Sequence, residues 1–159
     1  MFFWYIGVSV LAVVLVFQSV GVDYRLIAVG ALLPNAVNLL FGHRAFGSTL
    51  AFPVIVLLVV MISTIGKPRL MRRRWLCLPI GIFSGLVLSG AFTNGAQFWW
   101  PLSGIGFGSS AVFPGGVVLI GEEIIGIVAC WWLVGRYDLW QPGPRRAFLR
   151  TGRLELSEN

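Results

Sequence analysis

The hydrophobic positions of this chain fall into five long stretches, and polar residues are concentrated in the short segments between them. The stretches cover residues 2–20, 26–41, 49–66, 76–92 and 113–135. A helix needs about 20 residues to cross roughly 30 Å of hydrocarbon, because each residue adds 1.5 Å of rise. The pattern therefore predicts an all-α integral membrane protein, a small helical bundle with five transmembrane helices.

The second stretch is the least regular of the five. It is short and contains Pro34, Asn35 and Asn38. Such a segment is either a short or kinked span or a re-entrant segment buried among its neighbours. A re-entrant segment would move the N-terminus to the inside and Arg25 to the outside.

The basic residues determine the predicted orientation. With five spans, eleven of the twelve Lys and Arg residues lie on one side and only Arg44 lies on the other. A re-entrant second stretch would weaken this bias to ten against two, so five spans are favoured. Because short basic loops stay in the cytoplasm, we expect an integral membrane protein with its N-terminus outside and its C-terminus inside.

Composition agrees with this class and identifies the expected partners. The chain is 57% hydrophobic and 11% charged, whereas soluble domains carry about 25% charged residues. The net charge of +6 is best explained by juxtamembrane residues that contact anionic headgroups. We expect the lipid bilayer as partner, with anionic lipids at Arg72, Arg73, Arg74 and the C-terminal tail. A second membrane protein is a further candidate partner, and no nucleic acid is expected.

The polar segments divide the chain into a membrane domain, 1–135, and a basic cytoplasmic tail, 136–159. Residues 67–75, KPRLMRRRW, are predicted to form a short basic loop. In the tail, QPGP at 141–144 is predicted to exclude a continuous helix. Residues 145–156 are predicted to form either one or two short basic amphipathic turns, with Phe148 and Leu149 towards lipid, or a disordered segment.

The longest loop, 93–115, is rich in glycine, serine and proline, so a regular helix is not expected there. Its aromatic residues Phe98, Trp99 and Trp100 suit the membrane interface, where amphipathic rings lie at headgroup level. They act either as an interfacial anchor or as a lid over a site.

Glu122 and Glu123 are the acidic residues inside a predicted span. A charge at mid-bilayer costs at least about 2.5–3.5 kcal/mol, so such residues usually have a partner or a function. They are therefore either a ligand, proton carrier or general base, or a hydrogen-bonded pair that holds helices together. His43 is the third candidate for catalysis, but a single histidine is a poor metal site. No metal and no cofactor are predicted.

Several polar residues share one predicted depth in the membrane. The predicted topology places these residues, which include Ser48, towards the outer leaflet, and it places Ser84 nearer the middle of the membrane. They are predicted to line one polar pocket open to the outside. The binding residues of this outward-facing pocket are Asn35, Asn38, His43, Arg44, Ser89, Thr93 and Glu122.

Three segments of the chain resemble the YdjM-type family of small bacterial inner-membrane proteins, classed as metal-dependent hydrolases and also called LexA-binding. They are DYRLIAVGALLPNAVN at 23–38, GHRAFGSTLAF at 42–52 and IGIFSGLVLSGAFTNGAQFWWPL at 80–102. The resemblance covers about half of the chain. It implies an ancestral site of His and Asp ligands for a metal that activates water.

Most of the presumed metal ligands of that family are replaced in this chain. The resemblance places Asn35 and Asn38 at its first two acids, and Gly85 and Ser89 at a later His and Asp. The HR pair, His43 and Arg44, is retained. So are Thr93 and the Trp100-Pro101 pair, whereas Gly47, Ser48 and Thr49 replace a T-H-S step.

The chain is therefore predicted to be a non-catalytic relative, or pseudoenzyme. It would act as an accessory or scaffold protein that binds a lipid headgroup or a partner membrane protein in the polar pocket. One alternative is a membrane-bound hydrolase of a lipid-linked or phosphorylated envelope substrate, with His43 as base. Another is transport of an ion or small solute through the Glu122 and Glu123 region.

Overall fold

The structure is a computed structural model that describes residues 1–17, 21–41, 46–104 and 115–154. Within these residues all regular structure is helical, which confirms the predicted all-α fold class. Short 3-10 turns occur at Phe46–Ser48 and Ala91–Thr93, and the first turn of α1, Trp4–Val8, is a π-helix. The helices are α1 Trp4–Phe17, α2 Tyr24–Phe41, α3 Ala51–Ser63, α4 Arg69–Leu88, α5 Gly95–Phe98, α6 Gly116–Arg136 and α7 Pro142–Thr151.

Helices α2 and α4 form the tightest pair in the bundle. A Cβ atom on Gly81 would overlap the backbone of Ile27, and one on Gly85 would overlap the backbone of Ala31. Residue numbers therefore increase together along the contact, so the two helices run parallel. Small residues at such an interface let two backbones approach each other closely.

Helix α6 packs against the first turns of α1 through a second close glycine contact. Gly126 lies against the backbone of Phe3 and Trp4, and Gly7 lies against the backbone oxygen of Gly126 and the side chain of Cys130. These contacts also advance in the same direction, so α1 and α6 run parallel. Most other side chains of α6 remain exposed.

Two helices, α2 with 18 residues and α6 with 21, are long and apolar enough to cross a membrane by length and composition. Helices α1 and α3 are apolar but shorter. Helix α2 is continuous through Pro34. The exposed surface of α3 is almost entirely apolar, and its outward side chains include Val54, Ile55, Leu57, Leu58, Val59, Met61 and Ile62.

The predicted basic loop at 67–75 is wrong, because α4 begins at Arg69 and contains the whole arginine run. Pro68 is the residue that precedes the helix, with an extended ψ of 144°. A proline at this position disrupts no intrahelical hydrogen bond, since the first N–H groups of a helix have no partner. Arginine, leucine and methionine then favour the helix strongly.

The predicted helix exclusion at 141–144 is also wrong, because α7 begins at Pro142 and includes Pro144. Both prolines lie in the first turn, where the missing N–H groups would have had no partner. Phe148 packs against the buried core cluster rather than towards lipid, whereas Leu149 is exposed. In the loop predicted at 93–115, α5 forms one helical turn, and residues 105–114 lie outside the described residues.

Candidate functional site

A buried polar cluster lies where the C-terminal half of α2 meets the 3-10 turn Phe46–Ser48. The side-chain amide of Asn38 donates a hydrogen bond to Ser48 Oγ at 2.8 Å, and both side chains are buried. Gly47 lies directly against the carbonyl of Pro34 and the side chain of Asn38. A side chain at position 47 would therefore separate the turn from α2. We call Asn35, Asn38 and Ser48 the Asn38 cluster.

Asn35 is the chemically unusual member of this cluster. Its side chain is 6% exposed, and its Nδ2 makes no hydrogen bond to any of the described residues. Leaving a buried polar group without a partner costs about 1–3 kcal/mol. Asn35 thus presents an unused hydrogen-bond donor beside the Asn38–Ser48 pair.

Aromatic contacts fix the segments that surround the Asn38 cluster. The ring of Phe46 contacts those of Phe52 and Trp100 edge to face, with centroids 5.4 and 5.9 Å apart. The Leu50 N–H donates to the Phe98 carbonyl at 2.9 Å, which joins the start of α3 to α5. Trp100 is thus a packing residue, whereas Trp99 is 52% exposed.

Two buried polar residues near these segments were not predicted from the sequence as members of a site. Thr49 is fully buried and donates to the Phe46 carbonyl at 2.8 Å, and Gln97 in α5 is 3% exposed. The only signal in the sequence was their position in otherwise apolar or aromatic surroundings.

The other predicted pocket residues make local contacts. Ser89 Oγ donates to the Leu86 carbonyl at 2.7 Å, and Thr93 Oγ1 donates to the Gly90 carbonyl at 2.8 Å. Thr93 is exposed. Neither of these two hydrogen bonds reaches the Asn38 cluster. His43 and Arg44 lie outside the described residues, so their place in the pocket stays a prediction.

Glu122 and Glu123 face the N-terminal segment of the chain. Glu123 Oε2 lies 2.8 Å from the amino group of Met1, and its Oε1 accepts a hydrogen bond from the Phe3 N–H at 3.4 Å. Glu122 is half-buried beside it. The described contacts of Glu123 run to Met1 and Phe3, which precede α1, and not to the Asn38 cluster. A group of three His, Cys, Asp or Glu side chains that could hold a metal does not occur among the described residues.

An apolar crevice of about 570 Å³ separates α1 from α3 above the face of α4. Its walls include Val13, Pro53, Ile80 and Phe83, and Ser84 is the one polar side chain that lines it. Such a surface suits hydrocarbon chains rather than a polar ligand. Ser84 therefore faces an apolar environment and not the predicted polar pocket.

Asp23 is the most heavily engaged charged residue in the described part of the chain, and the sequence analysis missed it. It precedes α2 and caps it, because its Oδ1 accepts the Arg25 N–H at 3.2 Å. Its Oδ2 also accepts a hydrogen bond from Arg74 Nε at 2.6 Å, and its side chain is 3% exposed. Burial alone would raise the carboxyl pKa, but the hydrogen bonds and charges of Arg25 and Arg74 outweigh it, so the pKa is lowered.

The end of α7 is attached to this carboxylate. The Gly152 carbonyl accepts the Tyr24 N–H at 2.9 Å, and the Leu149 carbonyl accepts Arg25 Nη1 at 2.5 Å. Gly152 has φ of 73° and lies directly against the Asp23 carboxylate, a close approach that only glycine permits. Asp23 therefore joins the starts of α2 and α4 to the end of α7.

These features define an all-helical protein with two helices that are compatible with membrane insertion. A buried amide cluster lies at one end of α2, and an aspartate–arginine cluster lies at the other. Comparison with protein-family models, curated proteins and solved structures gives no match.

Proposed function

We propose that the chain is a multi-pass inner-membrane protein with five spans, its N-terminus outside and its C-terminus in the cytoplasm. The parallel pairs α1 with α6 and α2 with α4 support this, because spans one and five, and spans two and four, run the same way in an alternating arrangement. The Asp23 end of the bundle carries Arg25, the Arg69–Arg74 run and α7. This concentration of arginine favours the cytoplasmic side.

Reporter fusions after residue 154 test the orientation. We expect a fluorescent protein fused there to fold and fluoresce, and alkaline phosphatase fused there to be inactive, because the phosphatase folds only outside the reducing cytoplasm. A phosphatase fused within the 3-10 turn Phe46–Ser48 should be active. The reverse pattern would place the Asp23 end outside and reject the proposed topology.

We further propose a non-catalytic accessory function, in which the Asn38 cluster recognises a polar headgroup or a polar group of a partner membrane protein in the outer leaflet. One observation carries this proposal: Asn35 keeps a buried amide donor without an acceptor. A ligand that supplies an acceptor would offset the cost of burying that donor. Arg44 and His43, a few residues beyond α2, would meet an anionic part of the same ligand.

Two leucine substitutions test whether Asn35 serves a ligand or the fold. Asn35→Leu is expected to leave stability unchanged or raise it by about 1–3 kcal/mol, since it removes a donor without a partner. Asn38→Leu is expected to lower stability by a similar amount, because Ser48 loses its partner. Thermal unfolding in detergent measures both. Mass spectrometry of co-purifying lipids and proteins should show a species that wild type retains and Asn35→Leu loses.

Equal destabilisation by the two substitutions would instead make Asn35 a structural residue and remove the basis of the proposed pocket.

The YdjM-type resemblance is kept as a proposal of ancestry, and the hydrolase alternative follows from it. About one equivalent of Zn²⁺, Mn²⁺ or Mg²⁺ in wild type, lost in His43→Ala, would favour that alternative.

A further inference from the structure

A second cavity, separate from the Asn38 cluster, lies at the Asp23 end of the bundle. It is a half-open cavity of about 530 Å³, bordered by residues 21–23, the first turns of α4, the end of α7 and Arg153. This volume is within the range of about 300–1,000 Å³ that small-molecule sites occupy. Its charged lining residues are Asp23, Arg74, Arg150 and Arg153.

The charge in this cavity is not balanced. Three arginines oppose one aspartate among the lining residues, which leaves an excess of two positive charges. Arg74 is tied to Asp23 through Nε, and this hydrogen bond does not use its two Nη groups. In the described part of the chain, the guanidinium groups of Arg150 and Arg153 take part in no ion pair. The cavity therefore holds more hydrogen-bond donors than the protein itself uses.

The donor type indicates the chemistry of the ligand. Guanidinium groups bind phosphate through paired N–H donors, and they keep their positive charge throughout the physiological pH range. Apolar side chains of the same cavity, Leu70 and Met71, are exposed. Leu149, on α7, is also 61% exposed. A ligand that carries both a phosphate and a hydrocarbon chain would satisfy both parts of the surface.

The structure also shows which arginines of the chain line this cavity. Of the run at 72–74, Arg74 lines the cavity, whereas Arg72 reaches across to Met61 Sδ at 3.2 Å. Arg145 and Arg146 are exposed on α7 and do not line the cavity. The site is thus assembled by the attachment of α7 to Asp23 and not by the basic composition of the tail.

We infer that this cavity binds the phosphate of an anionic phospholipid of the cytoplasmic leaflet, held by Arg74, Arg150 and Arg153, so that a lipid headgroup clamps α7 to the bundle. The proposed lipid site lies at the opposite end of α2 from the Asn38 cluster and does not depend on that cluster. It uses the same orientation of the chain, which the reporter fusions test separately.

The test compares two double substitutions of equal charge in the full-length protein. Arg150→Gln with Arg153→Gln removes two cavity arginines, and Arg145→Gln with Arg146→Gln removes two exposed arginines of the same helix. Each protein is placed in nanodiscs of phosphatidylcholine with or without phosphatidylglycerol, and lipids retained on release into detergent are counted by native mass spectrometry. At about 1 kcal/mol per arginine, the cavity pair should lose about 30-fold in affinity for phosphatidylglycerol, equal to about 2 kcal/mol.

The inference is supported if wild type and the Arg145/Arg146 variant retain phosphatidylglycerol and the Arg150/Arg153 variant does not. Equal losses in the two variants would mean that tail charge alone attracts the lipid, and would overturn the inference. So would the absence of any preference for phosphatidylglycerol over phosphatidylcholine in wild type. Inorganic phosphate added at increasing concentration separates the sources: binding of phosphate without lipid preference would assign the cavity to a soluble ligand and reject the phospholipid.

Discussion

Gly85→Leu is expected to prevent α2 and α4 from packing and to leave little folded protein in detergent. The Cβ position of Gly85 overlaps the backbone of Ala31, and Gly81 lies equally close to Ile27 one turn earlier. Neither contact can be relieved by a side-chain rotation, because the neighbouring atoms belong to the backbone. Overpacking of a core by small groups costs about 1–3 kcal/mol. We expect Gly85→Ala to cost about that much and Gly85→Leu to cost more.

The sign of this effect separates packing from helix propensity. In an exposed helix, replacing glycine with alanine stabilises by about 1 kcal/mol. Gly121 on α6 provides this control, because nothing lies within 4 Å of its Cβ position. Thermal unfolding followed by tryptophan fluorescence in detergent should show Gly121→Ala at or above wild type and Gly85→Ala below it. If the two variants shift stability in the same direction, the close packing of α2 on α4 is wrong.

The positions of the apolar helices could be predicted from hydropathy because each is a continuous apolar run between polar residues. The second stretch was expected at 26–41 and α2 covers Tyr24–Phe41, and the fifth was expected at 113–135 and α6 covers Gly116–Arg136. Hydropathy failed at α4 for a physical reason. It measures preference for lipid, whereas the segment Arg69–Arg74 contains four arginines, which are polar but favour helix. A helix that continues beyond an apolar run is invisible to that signal.

The two polar clusters differ in how far the sequence could reveal them. Asn35 and Asn38 stood out because amides are unusual in an apolar stretch. Asp23 did not stand out, because it lies at the end of a stretch, where charged residues are common. Two hydrogen bonds of this cluster join residues that lie far apart in sequence: Arg74 is 51 positions beyond Asp23, and Arg25 joins Leu149 across 124 positions. Local patterns carry no information about such pairings.

Asp23→Asn is expected to release α7 from the bundle. The substitution keeps the shape of the side chain and its ability to cap α2, but it removes the charge that Arg25 and Arg74 share. Arg25 would then hold the Leu149 carbonyl less firmly, and Gly152 would lose its charged neighbour. Hydrogen bonds to charged groups contribute about 1.5–3 kcal/mol. Because Arg74 is about half exposed, solvent screening reduces this gain, and we expect the lower end of that range.

Hydrogen exchange of the 142–154 segment, followed by mass spectrometry, measures this release. Local opening of α7 should become about 10-fold more frequent in Asp23→Asn, which corresponds to the lower figure. Asp138→Asn is the matched control: it makes the same chemical change close to α7, at a residue with φ of 48° where asparagine is well tolerated. Equal exchange in the two variants would show that α7 does not depend on Asp23.

Because the pKa of Asp23 is lowered, the attachment of α7 to the bundle should also depend on pH. A carboxyl whose folded pKa lies below its ordinary value of 3.8 stabilises the folded state fully above that value and loses the contribution as pH falls through the folded pKa. Attachment of α7 in wild type should therefore be constant from neutral pH down to about 4 and weaken below it. In Asp23→Asn the group that titrates is gone, so the opening of α7, corrected for the pH dependence of intrinsic amide exchange, should stay frequent at every pH and show no acid transition of its own. An acid transition of equal size in both proteins would assign the effect to other carboxylates.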